Sequence, residues 1–256
     1  MKIFSFVLAG LSSLSAFCLK AESSLQAVMG ISKQSLIIFY IGVMALSALG
    51  FILMRRSQGT RVPLYFYMIH FAIVCWSGLI YLNILFNTPL RDYAWYADWV
   101  ISTPLIVLAL GLSAMYYLQE KRWDLIWAVM GFQAVTIITG VLAQLSYSQN
   151  ALLTFFILGN VAMLGVFYMI WGPLMTIARQ SGYELYAKYR LLASYLVIFW
   201  IAYPAIWILG TPGFGLISDY ATTLSFVILP ILCKSGFGFL DLYLLGQLQH
   251  KNTAQA

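Results

Sequence analysis

The 256 residues predict an all-α membrane protein, a bundle of seven transmembrane helices forming one domain. Three observations predict it. Hydrophobic residues make up 62% of the chain against 9% charged, and the mean hydropathy is +0.87, a balance unlike that of a soluble core. Seven apolar stretches, each long enough to cross ~30 Å of hydrocarbon, follow one another without a long linker, repeat or low-complexity tract. Basic residues sit in the short connections, so the net charge of +6 follows membrane topology and makes no nucleic-acid-binding face.

Residues 1–22 read as a targeting segment removed from the mature protein: Lys2, an apolar and serine-rich run over 3–19, then small residues around Ala21. An extra transmembrane helix is the competing reading, opposed by Ser12, Ser13 and Ser15 and by the shortness of the run. The seven-helix domain then occupies 23–250, with spans at 35–54, 63–86, 93–118, 125–145, 152–175, 191–209 and 220–248, and 251–256 form a tail. Arg55, Arg56, Arg61, Lys121, Arg122, Arg179, Lys188, Arg190 and Lys251 fall on one side of the membrane, against only Lys33 and Arg91 in mature loops on the other. The excess of positive charge puts the first side in the cytoplasm, with the C-terminus, and the mature N-terminus on the extracellular or periplasmic side. Cys18, Cys75 and Cys233 are widely separated in apolar segments, a spacing that suggests neither a disulfide nor a metal site.

Lys234 stands alone within the apolar stretch 222–245, near mid-membrane, where an ammonium is costly unless chemistry requires it. Burial favours the neutral amine, which attacks an aldehyde to form a Schiff base whose proton the surroundings can tune. The plainer alternatives are a pair in a helix contact or snorkelling to the interface, and snorkelling works only near helix ends. Three further ionisable residues lie within spans: His70, Asp98 and Asp241. Helical geometry puts Trp95, Asp98, Ser102 and Ala109 on one stripe of the third span, and Lys234 and Asp241 on one face of the seventh, with Asp241 about 10 Å nearer the cytoplasm. His70 enters from the cytoplasmic end of the second span to a similar depth, so it and Asp241 are expected in one layer, with Asp98 on the extracellular side of Lys234.

The run Trp95-Tyr96-Ala97-Asp98-Trp99-Val100-Ile101-Ser102-Thr103-Pro104-Leu105 resembles the third-helix signature of microbial rhodopsins. Trp200-Ile201-Ala202-Tyr203-Pro204-Ala205-Ile206-Trp207 resembles their sixth-helix retinal pocket, and Lys234-Ser235-Gly236-Phe237-Gly238 their retinal-lysine motif. The resemblance covers about residues 33 to 250. It implies a bundle of microbial rhodopsin type, all-trans retinal on Lys234 as a protonated Schiff base, and Asp98 as its counterion. It also implies a pocket of Trp99, Thr103, Ile106, Trp200, Tyr203, Pro204, Trp207 and Cys233, with Pro204 kinking the sixth helix. With no polar substitution at Ile106 or Cys233, a green-to-yellow absorber is expected.

Three departures from the outward proton pumps of that family narrow the expectation. Pro230 stands where they carry a second aspartate, Trp95 where they carry an arginine, and Ala109 where they carry a carboxylic proton donor. With a carboxylate seven residues after the lysine, this pattern resembles the xenorhodopsins, which are inward proton pumps. That resemblance makes His70 and Asp241 the cytoplasmic proton acceptor and puts Ser77, Ser102, Trp95 and Pro230 around the Schiff base; Ser102 and Ala109 depart from the more usual threonine-containing pattern. Electrostatics points the same way, because Asp98 is the single carboxylate near Lys234 while His70 and Asp241 can titrate as a unit on the inner side. The transported species is then the proton, the surrounding partner is the lipid bilayer, and a homo-oligomer is the expected assembly. A photosensor signalling through a partner that reads the loop 179–190 is the alternative. A light-gated channel would need more polar residues along its path, and no nucleophile–base set or metal cluster accompanies Lys234 to make an enzyme.

Overall fold

The computed structural model describes residues 32–248, so the targeting segment expected over 1–22 and the tail at 251–256 lie outside the described residues. Seven helices long and apolar enough to cross a membrane follow: α1 (Lys33–Gln58), α2 (Leu64–Leu85), α3 (Arg91–Ala114, opening with a 3₁₀ turn), α4 (Trp123–Gln144), α5 (Gln149–Gln180), α6 (Tyr183–Leu209) and α7 (Asp219–Gly246). The protein is a seven-helix, all-α, multi-pass membrane bundle, as the hydropathy predicts.

Two helix ends run furthest beyond the sequence expectation, for one physical reason. Apolarity marks the hydrocarbon layer, whereas a helix continues into the interface as long as its carbonyls find amides. Thus α5 runs on to Gln180 and α6 begins at Tyr183, and the segment 179–190, expected as a loop, is two helix ends joined by Ser181 and Gly182, the latter at φ 122°. Conversely α3 stops at Ala114, short of the expected 118, and Lys121 Nζ donates to the carbonyls of Met115 and Leu118 at 2.7 and 2.6 Å. A cation there suits the negative end of a helix dipole.

Serine caps open three helices: the side chains of Ser32, Ser148 and Ser218 accept from the amides of Ser35, Ala151 and Ala221. At the other end of α1, Gly59 takes φ 60° and donates its amide to the Arg55 carbonyl at 3.0 Å, a conformation that favours glycine. Most outward side chains are apolar, including Leu46, Met68, Trp127 and Ile198, as a lipid solvent requires. α3 and α7 are the inner helices, with 67% and 56% of their apolar windows buried against 17% for α4. The ionisable residues lie on these helices and on α2.

Proline and π-helical turns shape the interior of α5 and α7. A π segment, Ile170–Leu174, contains Pro173, and a second, Ile231–Gly236, follows Pro230 and carries Lys234. Such turns release carbonyls that the bilayer cannot hydrate, and tyrosines from neighbouring helices satisfy them. Tyr81 Oη donates to the Phe226 carbonyl, four residues before Pro230, at 2.8 Å; Tyr189 Oη reaches Ile170 at 2.9 Å, and Tyr195 Oη reaches Leu232 at 3.1 Å. Tyr81→Phe should therefore lower stability by about 1–3 kcal/mol through the orphaned carbonyl, read as an earlier thermal melt of the solubilised protein. An unchanged melt would mean that this carbonyl needs no donor.

Candidate functional site

The π segment brings Lys234 to the centre of the bundle, where the residue is 2% exposed. Its ammonium forms an ion pair with Asp98 Oδ2 of α3 and donates to Ser77 Oγ of α2 at 2.8 Å. Ser77 in turn shares a hydrogen bond with the Tyr40 hydroxyl of α1, whose ring stacks on Tyr81 with centroids 4.0 Å apart. Three helices thus meet at one nitrogen, and α1 reaches it through Ser77. Asp98 is fully buried, and a buried carboxylate is tolerable only when paired. Asp98 Oδ1, Trp95 Nε1 and Trp99 Nε1 have no hydrogen-bond partner among the described residues, so polar capacity is left over beside the pair.

The other residues expected around this nitrogen act at one remove. Ser102 turns its hydroxyl to the Asp98 carbonyl at 2.8 Å and makes no bond to Lys234. Trp95 packs edge-on against Phe226 at 4.8 Å, and the ring of Pro230 leaves the carbonyl that Tyr81 satisfies.

A cavity opens beside Lys234. Every residue expected at the chromophore lines it: Trp99, Thr103, Ile106, Trp200, Tyr203, Pro204, Trp207 and Cys233. Tyr96, Gln133, Ile137, Phe155, Phe156, Asn160 and Met163 complete much of the wall. Several of these side chains are held by further contacts. Trp207 Nε1 donates to the Tyr96 hydroxyl at 2.6 Å and its ring stacks on Phe156, while Gln133 Nε2 donates to Thr103 Oγ1 at 2.9 Å. Trp99 meets Tyr203 edge to face, centroids 5.6 Å apart and planes at 88°. A mainly aromatic and aliphatic cavity with an amine in its wall suits a long apolar molecule ending in an aldehyde.

A second polar cluster lies two turns along α7. Asp241, fully buried, has Oδ2 2.8 Å from His70 Nε2 and receives the Ser113 hydroxyl on Oδ1 at 2.7 Å. Phe51 and Phe237 flank the imidazole, and His70 Nδ1 has no partner among the described residues. A side chain at Gly238 would put its Cβ 3.1 Å from that nitrogen and 2.7 Å from Phe51, so glycine is what lets α7 approach α2 here. Ser113 and Tyr40 were not legible as site residues. Ser113 extends the stripe Asp98, Ser102, Ala109 by one helical turn, which marks its face of α3 but not its contact with Asp241; Tyr40 is one of 17 tyrosines and carries no signal in sequence.

Fold and site define a class, polytopic membrane proteins with an internal cofactor cavity bordered by a buried lysine. The chain belongs to the bacteriorhodopsin-like protein family, whose model matches residues 32–248, and is therefore a microbial rhodopsin. Archaerhodopsin-1 of Halorubrum ezzemoulense is 31% identical over 186 residues, 68% of this chain and 70% of its own. Among solved structures, that of the inward H⁺ pump xenorhodopsin is 40% identical, with a TM-score of 0.78 over 85% of this chain and 94% of the other. Thermophilic rhodopsin from Rubrobacter xylanophilus is 30% identical, with a TM-score of 0.74 over 84% of this chain and 99% of the other. Members of the family bind retinal as chromophore.

Proposed function

We propose that this protein is a light-driven inward proton pump in which Lys234 carries all-trans retinal, Asp98 is the counter-charge, and His70 with Asp241 accepts the proton. The likeness to xenorhodopsin supports this reading, and the observation that carries it is the buried His70–Asp241–Ser113 cluster two turns from Lys234. Bound in the cavity, retinal supplies light absorption and a trans-to-cis isomerisation. The chain's own residues do the rest. Trp99, Trp200, Tyr203 and Trp207 confine the polyene between aromatic faces, while Thr103, Ile106, Pro204 and Cys233 close the remaining wall. Asp98 and Ser77 hold a proton on the Lys234 nitrogen in the dark.

Direction follows from which side offers an acceptor. The cationic rim of Arg55, Arg56, Arg61, Lys121, Arg122, Arg179, Lys188 and Arg190 supports a cytoplasmic position for the Asp241 end of the bundle. There, with a proton shared between His70 Nε2 and Asp241, His70 Nδ1 remains free to take another. Ala109, by contrast, gives α3 no group that could return a proton from inside, and no arginine stands on the outer side beside Asp98. The proton leaves inward, and its replacement comes from outside.

Cells expressing the protein with retinal should alkalinise an unbuffered medium on illumination, and a protonophore should abolish the signal. Acidification would overturn the inward assignment; no change in well-pigmented cells would favour a photosensor. Asp98→Asn removes the charge that keeps the Lys234 nitrogen protonated, so the visible band should bleach or move to the blue near neutral pH. An unchanged spectrum across the pH range would remove Asp98 from this role.

A further inference from the structure

A proton that reaches Asp241 must still leave a residue with no exposed surface. A small cavity of about 10 Å³, on the scale of one water molecule, lies between α3, α6 and α7 and is lined by Ser113, Asp241 and Lys188 among leucines and Tyr189. It touches the buried carboxylate and also a lysine whose Nζ donates to the exposed side chain of Gln247 at 3.0 Å. The polar residues on its wall are few: Ser113, Asp241, Lys188 and Tyr189, whose hydroxyl is committed to the Ile170 carbonyl. Away from the cavity, the ionisable partner of Asp241 among the described residues is His70.

We infer that this cavity is the proton's release port and that the Lys188 charge drives release through it. The inference rests on the inward-pump reading. The protonated Asp241 gives its proton to water entering the cavity, the hydrated proton passes to the cytoplasmic surface, and the carboxylate left behind is stabilised by the ammonium at the mouth. Leu185, Leu192, Leu244 and Leu245 keep the rest of the passage apolar, so little besides one water fits beside Asp241 in the dark. Gln247, at the end of α7, holds the lysine head across the gap between α6 and α7.

Charge-graded variants test this. Lys188→Arg, Lys188→Gln and Lys188→Glu should keep the dark absorption band, which reports an intact bundle. The appearance of protons at the cytoplasmic face, followed with a pH-indicator dye after a flash, should be near wild type for Arg. It should slow by about threefold or more for Gln and further for Glu, the range expected of a screened charge pair. A merely structural lysine would not order the variants by charge. Equal release rates in all three, or faster release with Gln, would overturn the port. The sign of the wild-type pH change, read in the same preparation, separates the two ideas. Acidification of the medium by wild type refutes inward pumping, whereas an alkalinising wild type with charge-independent release refutes the port alone.

Discussion

Lys234→Ala, expressed with all-trans retinal, should yield a colourless protein: no visible band and no borohydride-trappable adduct. The expectation is all-or-none because among the described residues no other amine borders the cavity, whose walls are otherwise uncharged and mainly aromatic and aliphatic. The same substitution strips Asp98 of its ion-pair partner inside the bilayer and leaves a buried carboxylate with no counter-charge. Breaking a buried pair from one side costs about 3–5 kcal/mol, so a poor yield of Lys234→Ala would confuse lost attachment with lost folding. The double variant Lys234→Ala/Asp98→Asn removes both charges and should recover most of the yield while remaining colourless. A visible, reducible adduct in either variant would mean that retinal is attached elsewhere.

The features that could be read in the sequence were those fixed by spacing along a single helix. Apolar length gave the seven spans, and the separation of Lys234 from Asp241 gave two polar layers, since a helix rises about 1.5 Å per residue. The depth of His70 on α2 then put it beside Asp241, and the two meet at 2.8 Å. What escaped depended on the rotation of one helix against another. Ser113 reaches Asp241 only because α3 and α7 pack face to face, and Tyr40 reaches Ser77 only because α1 lies against α2. The π segment around Lys234 escaped for a different reason. Pro230 announces a disturbed helix, but whether the freed carbonyl is met by water, by a tighter turn or by a tyrosine is decided by Tyr81, which lies 145 residues from the Phe226 carbonyl it meets. The reach of α5 and α6 beyond the hydrocarbon likewise left no mark in hydropathy, because Arg179 and Glu184 are equally at home in a loop or in a solvated helix end.

The two polar layers also separate colour from transport. Asp241→Asn should reduce light-driven proton uptake by on the order of a hundredfold, the usual contribution of a positioned acid–base group, with the dark band almost unmoved. Asparagine keeps the shape of aspartate, can still accept from Ser113 and can still meet His70, so the packing seen at Ser113 and His70 is retained. What it loses is the capacity to take and release a proton at this pH. Because Asp241 lies about 10 Å along α7 from Lys234, its charge is felt weakly at the chromophore compared with that of Asp98, which is in direct contact. His70→Ala should impair the same step less completely, since Asp241 keeps its Ser113 contact and its own carboxylate. If the two residues share one proton as a unit, the double variant will be no slower than Asp241→Asn alone, whereas independent roles would make the losses multiply. Uptake at the wild-type rate in Asp241→Asn, or a colour shift as large as that of Asp98→Asn, would show that the inner cluster is not the acceptor.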